Sequence, residues 1–259
     1  MGQLDGKTAL IFGVANHNSV AWAIAQKLAA EGARLAFTYQ ERMEQNVRKL
    51  TADMTGTLVL PCDVQRDDEL DAVFERVGQE FGGLDILIHS VAFAPTNDLR
   101  GRVSQVSREG FLTAVDISAY SLIAMARRAE PLMQQRGGGS VVAMTYLGAE
   151  RVVPGYNLMG IAKAALEASI RYLAWDLGPG NVRVYGISAG PMRTLSARGV
   201  GNINDMFALV EQVAPLRRNI EQGDVGDLAV FLCSDTAKNM TGNILHLDAG
   251  FYLMGLGTM

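Results

Sequence analysis

Seven short apolar runs, each separated by a longer amphipathic or polar stretch, set the narrowest limit on how this chain folds. The runs are Thr8–Phe12, Arg34–Tyr39, Thr57–Pro61, Leu84–Ser90, Ser140–Met144, Val182–Ile187 and Asn243–Leu247. They are too short for helices and apolar throughout, which suits strands buried on both faces of a parallel sheet. Helical spacing of apolar residues is found at Val20–Glu31, Glu41–Met54, Glu69–Phe81, Ser121–Gln135, Tyr156–Leu177 and Asp224–Ser234. Strand–helix alternation repeated this often predicts right-handed βαβ units: a single Rossmann-type, doubly wound parallel sheet of about seven strands with helices on both faces. No linker, repeat or low-complexity stretch divides residues 1–259, and α/β folds of this length often remain one domain. The polar stretch Gly190–Met206 follows a strand's carboxyl end, where such sheets bind ligands, and residues 190–210 are expected to form a substrate-binding loop or lid.

Composition narrows the function classes. Hydrophobic residues make up 49% of the chain and charged residues 19%, so the chain is a globular one. A net charge of −4 provides no basic field for nucleic acid. No apolar run is expected to reach the length of a membrane span, and Met1–Lys7 lacks the pattern of a secretory signal, so a cytoplasmic location and no membrane partner are expected. Cys62 and Cys233 stand far apart without CxxC spacing and read as buried, reduced thiols. Three histidines without ligand spacing predict no metal site.

The first strand leads into Gly13-Val14-Ala15-Asn16-His17-Asn18-Ser19-Val20-Ala21. A glycine permits a tight turn here, and small residues let backbone amides approach a pyrophosphate at the next helix's N-terminus, with Asn18 or Ser19 as its cap. The full G-x-G-x-x-G fingerprint is absent, Ala15 and Ser19 standing where further glycines would be expected. At the end of the second strand, Gln40 can hydrogen-bond ribose hydroxyls without charge, while Arg42 could meet a 2′-phosphate, which leaves the choice between NADH and NADPH open. Asp63, closing the third strand, could accept from an adenine amine. The fourth strand ends in His89-Ser90-Val91-Ala92-Phe93-Ala94-Pro95, small residues where a nicotinamide would lie. His89 is an acid–base candidate by type, but its apolar strand favours a core histidine.

Tyr156 and Lys163 are seven residues apart, which places them on one helix face about two turns apart. A lysine so placed can donate to nicotinamide ribose hydroxyls and favour negative charge on a nearby oxygen. A core-flanking tyrosine with a snorkelling lysine would give the same spacing; its position after the fifth strand of a dinucleotide fold favours the catalytic reading.

These motifs together resemble the short-chain dehydrogenase/reductase superfamily and, within it, the bacterial NAD(P)H-dependent enoyl-[acyl-carrier-protein] reductases of type II fatty-acid synthesis. The resemblance runs along nearly the whole chain. It rests on residues 13–21, Tyr39-Gln40, Cys62-Asp63-Val64, 89–95, Tyr146 with Tyr-x6-Lys at 156–163, Ala189-Gly190-Pro191-Met192-Arg193-Thr194-Leu195, Pro215-Leu216-Arg217-Arg218 and Phe231-Leu232-Cys233-Ser234-Asp235. Ordinary members of the superfamily carry Tyr-x3-Lys and a serine on strand five; here Met159 stands four residues before Lys163 and Tyr146 replaces the serine. The resemblance implies hydride transfer to the β-carbon of a trans-2-enoyl thioester, with Tyr146, Tyr156 and Lys163 as the catalytic set.

It further implies a cofactor site built from Gly13, Ala15, Ser19, Val20, Gln40, Asp63, Val64, Ser90, Val91, Ala92, Lys163, Met192, Arg193, Thr194, Leu195 and Ser196, with NADH expected over NADPH because Gln40 is neutral and Glu41 would repel a phosphate. Ala94, Tyr146, Tyr156, Met159 and Met206 are expected to contact substrate, with Phe93 and Leu195 extending an apolar wall. A homotetramer pairing the Ser121–Gln135 and Tyr156–Leu177 helices is implied as well. The rival readings are a ketoreductase and a non-catalytic Rossmann regulator sensing NAD(P)H. An acyl carrier protein is the expected partner, yet residues 200–206 contain one acid and no base, so docking is expected to shift toward Arg198, Arg217 and Arg218.

Overall fold

The computed structural model describes residues 2–193 and 203–255. All seven expected strands form: β1 (Thr8–Phe12), β2 (Arg34–Tyr39), β3 (Leu58–Pro61), β4 (Ile86–His89), β5 (Gly139–Thr145), β6 (Val182–Ala189) and β7 (Ile244–Leu247). They pair side by side in the order β3-β2-β1-β4-β5-β6-β7, every pair parallel. The order reverses between β1 and β4, which opens a crevice at their carboxyl ends.

The expected helices form as α1 (Val20–Ala30), α2 (Glu44–Leu50), α3 (Asp67–Phe81), α6 (Ser121–Gln134), α7 (Asn157–Leu177) and α9 (Gln222–Cys233). Leu28, Val47 and Val225, from α1, α2 and α9, cover one sheet face together with Phe37 and Tyr185. Val77, Met125 and Leu166, from α3, α6 and α7, cover the other against Leu10, Leu87 and Val141. Cys62 and Cys233 are buried free thiols, and burial pushes both up to about 12, which leaves them unreactive.

Three helices were not expected from the sequence: α4 (Thr96–Arg100), α5 (Arg108–Val115) and α8 (Ile203–Val213). The segment containing α4 and α5 is organised by Asp98. Its carboxylate accepts from the Ser107 N–H at 2.7 Å and the Ser107 hydroxyl at 3.0 Å, and Ser107 then caps α5 by accepting from Gly110 at 2.9 Å. A π-helical turn, Asp116–Tyr120, joins α5 to α6. The stretch 203–206, expected as loop, is the first turn of α8, because Ile203, Phe207 and Val210 fall at helical spacing. The expectation that no segment reaches a membrane-spanning length is also corrected. The continuous helix Arg108–Gln134 is long and apolar enough by composition, and more than half of its apolar window is buried inside the protein, as a core helix would be.

The amino ends of the strands are closed around one carboxylate. Asp85 is buried and accepts from Thr8 N–H at 2.9 Å, the Thr8 hydroxyl at 3.1 Å, Lys7 at 3.2 Å and Arg136 at 3.2 Å. Removing its charge leaves two cations without their partner inside a partly dry cluster. Asp85→Asn should therefore lower unfolding free energy by about 2–3 kcal/mol, measured by urea denaturation. It should leave ligand affinity at the distant carboxyl ends unchanged.

Candidate active site

The crevice begins at Gly13, which has φ 106°. A β-carbon there would collide with the Ser90 carbonyl oxygen, so only glycine lets the loops after β1 and β4 lie side by side. Ser19 is the residue before α1, but its hydroxyl turns back, accepting from Ala15 N–H and Asn16 N–H at 3.0 Å each. The expected forward cap is thus replaced by a staple of the loop. The first-turn N–H groups of Val20 and Ala21 have no acceptor within the helix, and no acidic residue stands in that turn. Gln222 from α9 donates to the Asn18 carbonyl at 2.8 Å and fixes the loop from its other side. This cradle fits a pyrophosphate.

Farther along the sheet edge, Gln40 is exposed and its Oε1 accepts from Arg42 at 3.0 Å. The two residues expected to bear on the 2′ position of a ribose are therefore held against each other. Asp63 Oδ1 accepts from Gln65 N–H at 3.0 Å, tightening the turn into α3. Val64 and Val91 are half-buried against the core below, while Ser90 is half-buried and Ala92 exposed at the crevice. Met192 is half-buried, and the Arg193 guanidinium lies 4.9 Å from the centre of the Phe207 ring on α8. Thr194, Leu195, Ser196 and Arg198 lie outside the described residues.

The centre of the arrangement is three consecutive residues at the end of β5, each joined to α7. Met144 O accepts from Lys163 Nζ at 2.7 Å. Thr145 Oγ1 donates to Glu167 Oε1 at 2.7 Å. The Tyr146 ring meets the Tyr156 ring edge to face, centroids 4.9 Å apart at 69°. Gly148 makes that contact possible, since a β-carbon on it would strike the Tyr156 ring. Tyr156, Met159, Leu158, Ala114 and Ala162 form a small apolar cluster against which Ala94 and Tyr146 pack. Four of the five expected substrate contacts thus share one wall. Met206, half-buried on α8, is not in that cluster, and Phe93 is 42% exposed beside it.

Burial controls the charges. It raises the Tyr156 hydroxyl far above the ordinary phenol value, with Tyr146 and Glu167 adding to the effect, so Tyr156 stays a proton donor at neutral pH. Burial, with Asp248 behind it, raises Tyr146 as well. Lys163, 5% exposed, is pushed down to about 8 by desolvation, and Glu167 opposes that shift. Glu167 itself, 4% exposed, is raised by burial and held down by the Thr145 hydrogen bond. Thr145 and Glu167 escaped the sequence reading. The available signal was a glutamate one helical turn after Lys163, between Leu166 and Ile170 on a helix face that otherwise goes to the core.

His89 falls to the core, as its apolar strand suggested. Its Nε2 is 2.7 Å from Ser121 Oγ, and the Ser121 hydroxyl gives its own proton to the Ile117 carbonyl at 2.7 Å. Nε2 must then carry the imidazole proton, which leaves Nδ1 a buried acceptor without a protein partner. On the same π-turn, Ser118 Oγ accepts from Phe93 N–H at 3.0 Å. The turn thus pins both β4 and the loop that follows it.

A family model described as enoyl-(acyl carrier protein) reductase matches residues 13–252. An enoyl-[acyl-carrier-protein] reductase [NADH] FabI of Bacillus cereus is 52% identical over 98% of this chain and 100% of its own. The corresponding [NADPH] FabI of Staphylococcus aureus is 49% identical over 97% and 99%. A crystal structure of the B. cereus enoyl-acyl carrier protein reductase with NADP+ and an indole naphthyridinone superposes with a TM-score of 0.96, at 52% identity, covering 99% of this chain and 100% of that one.

Burial lowers His89 to about 3, with the nearby Lys163 contributing. Because the unfolded chain takes up this proton near the ordinary imidazole value of 6.5 and the native state does not, the stability His89 confers is present above that pH and is lost as pH falls toward 3. Its ring resonances in NMR spectra should stay fixed between pH 8 and pH 5. Titration in that range would contradict the buried neutral assignment.

Proposed function

The chain belongs to the enoyl-(acyl carrier protein) reductase family of short-chain dehydrogenases/reductases, and from that premise we propose how its residues reduce trans-2-enoyl thioesters to saturated acyl thioesters in fatty-acid synthesis. The observation that carries the reading is the edge-to-face Tyr146–Tyr156 pair set in an apolar wall with the buried Lys163 ammonium at its base. Bound reduced nicotinamide supplies the hydride that reaches the substrate β-carbon. Tyr156 donates a hydrogen bond to the thioester oxygen as enolate charge develops there, an interaction stronger in the transition state than in the ground state. A proton delivered by water or through Tyr156 then reaches the α-carbon to complete the saturated thioester. Tyr146 shapes the wall beside the thioester and orients the Tyr156 ring. Lys163 holds the nicotinamide ribose and keeps the local field positive. Met159 occupies the position where an alcohol–ketone enzyme of this superfamily has its tyrosine, and its thioether has no proton to give, which disfavours the ketoreductase reading. The whole chain serves as one nicotinamide-binding unit, with 190–210 as the part that covers substrate.

NADH is the preferred reductant in this reading. Gln40 is neutral, Glu41 is acidic, and Arg42 is committed to Gln40 in an exposed contact of small energy. With crotonyl thioester and either cofactor, absorbance at the nicotinamide band should fall faster with NADH. Tyr156→Phe should lower kcat about 100-fold with little change in NADH affinity, whereas Lys163→Ala should weaken NADH binding itself. A lower KM for NADPH overturns the cofactor preference; parent-like NADH binding by Lys163→Ala removes the lysine's role.

An acyl carrier protein is acidic, and Arg217 and Arg218 are exposed with no ion pair within 4.0 Å among the described residues, which leaves both available to meet it. The chain assembles as a homotetramer through the α5–α7 face, which exposes Leu112, Tyr120, Ile123, Tyr172 (78%) and Trp175 (81%) to water in a single copy. The same reading places it in the cytoplasm. Sedimentation should give four copies, and Trp175→Glu should give smaller species. kcat/KM for the carrier-bound substrate should fall with salt, and less steeply in Arg217→Ala/Arg218→Ala. Equal use of coenzyme A and carrier thioesters would remove the docking surface.

A further inference from the structure

The mechanism needs Lys163 to be an ammonium, yet the fold buries it to 5% exposure with one carbonyl as its hydrogen-bond partner. A buried ammonium is costly unless a negative charge lies close. Such a charge is present in Glu167, one turn further along α7 and 4% exposed. Its carboxylate is fixed by the Thr145 hydroxyl at 2.7 Å, and Thr145 is the residue between the one that receives Lys163 and the one that packs on Tyr156. We propose that Glu167, anchored by Thr145, is a positioning residue that holds Lys163 in its charged, cofactor-binding form.

The surroundings support that assignment. The titratable groups that act on Lys163 or feel it are Glu167 on its own helix and His89 on β4, with Tyr156, just before α7, and Tyr146, after β5, in the same buried arrangement. Both tyrosines are protonated at neutral pH and His89 is uncharged. Around Glu167 stand Arg171 on α7 and His246 on β7, which favour its charge, and Glu150 after β5, which opposes it. His246 is itself bonded to Glu150 at 2.8 Å and stacked on Tyr252 at 4.0 Å. Glu167 is thus the acidic group that offsets burial at Lys163, and its own ionisation is supported by the Thr145 donor and the Arg171 guanidinium. The lysine's shift to about 8 already includes that support; without it the proton leaves at lower pH.

The inference rests on the reading that Lys163 holds the nicotinamide ribose, and the experiment separates the two. NADH affinity is measured by fluorescence titration between pH 6 and pH 9 on the full-length parent, Glu167→Gln, Thr145→Val and Lys163→Ala. Proton uptake on binding is read by calorimetry in two buffers of different ionisation enthalpy. Glu167→Gln keeps an acceptor for Thr145 but no charge. It should bind NADH like the parent at pH 6, bind about fivefold more weakly at pH 8 if the lysine moves down by one pKa unit from about 8, and take up more of a proton on binding there than the parent does. Thr145→Val should move the curve the same way by less, and it carries the test if Glu167→Gln does not fold. Lys163→Ala should bind weakly at every pH. A Glu167→Gln curve that superimposes on the parent, or one displaced equally at all pH values, overturns the proposal while leaving the lysine's role intact. A Lys163→Ala curve matching the parent overturns the ribose contact, and the role of Glu167 falls with it.

Discussion

The buried ammonium of Lys163 is the constraint around which the rest of the site is arranged. An ammonium has three protons to place, and the interior offers one acceptor from the end of strand β5, the Met144 carbonyl. That bond fixes how far α7 slides along β5. With that bond in place, the next two residues reach the same helix and its start, Thr145 bonding Glu167 and Tyr146 packing on Tyr156. The register of one helix on one strand thus determines the position of the phenol, its depth and its proton affinity.

The other half of the crevice is held by different means. Its loops carry few apolar contacts, so they are fixed by backbone approach and short side chains: Gly13 against Ser90, Ser19 folded onto Ala15 and Asn16, Ser118 on Phe93, Gln222 on Asn18. The π-turn at Asp116–Tyr120 is part of this. Its altered pitch brings Ser118 and Ser121, three residues apart, onto the loop after β4 and onto His89 respectively. At the amino ends of the central strands, Asp85 gathers Thr8, Lys7 and Arg136, so the end of the sheet away from the crevice is anchored by a buried charge.

The sequence made the sheet legible because both faces are covered. Strands such as Ala9-Leu10-Ile11-Phe12 and Ile86-Leu87-Ile88 have no polar residue to confuse their period, and their bounds came within two residues of those observed. The Tyr156–Lys163 spacing singled out the right stretch, with Tyr156 standing just before α7 and Lys163 two turns into it, but the spacing alone fitted a core-flanking pair equally well. The helices over the β4 end were not: α4 and α5 are short and polar, and what orders them is Asp98 reaching Ser107 across nine residues, a contact no local pattern encodes. The same limit hid the direction of the Ser19 hydroxyl. A residue's type shows that it can cap a helix, and only the surrounding loop decides whether it points forward or back. Glu167 was hidden for another reason, since a glutamate on a helix is usually solvated, and only burial to 4% exposes its cost.

These two halves have different freedom to vary. Changing Lys163, Thr145, Tyr156 or Glu167 disturbs groups packed in the dry interior, where each unsatisfied partner costs one to several kcal/mol. Gln40 and Arg42, proposed above to meet the ribose 2′ position, are exposed and held by a single contact between themselves. Exchanging or reorienting them costs only a few tenths of a kcal/mol in the fold. Selection for a different reductant therefore acts on residues that stability does not protect, while the chemistry rests on residues that it does. Relatives with nearly the same degree of identity to this chain that are named for different nicotinamide cofactors are the outcome such an arrangement predicts.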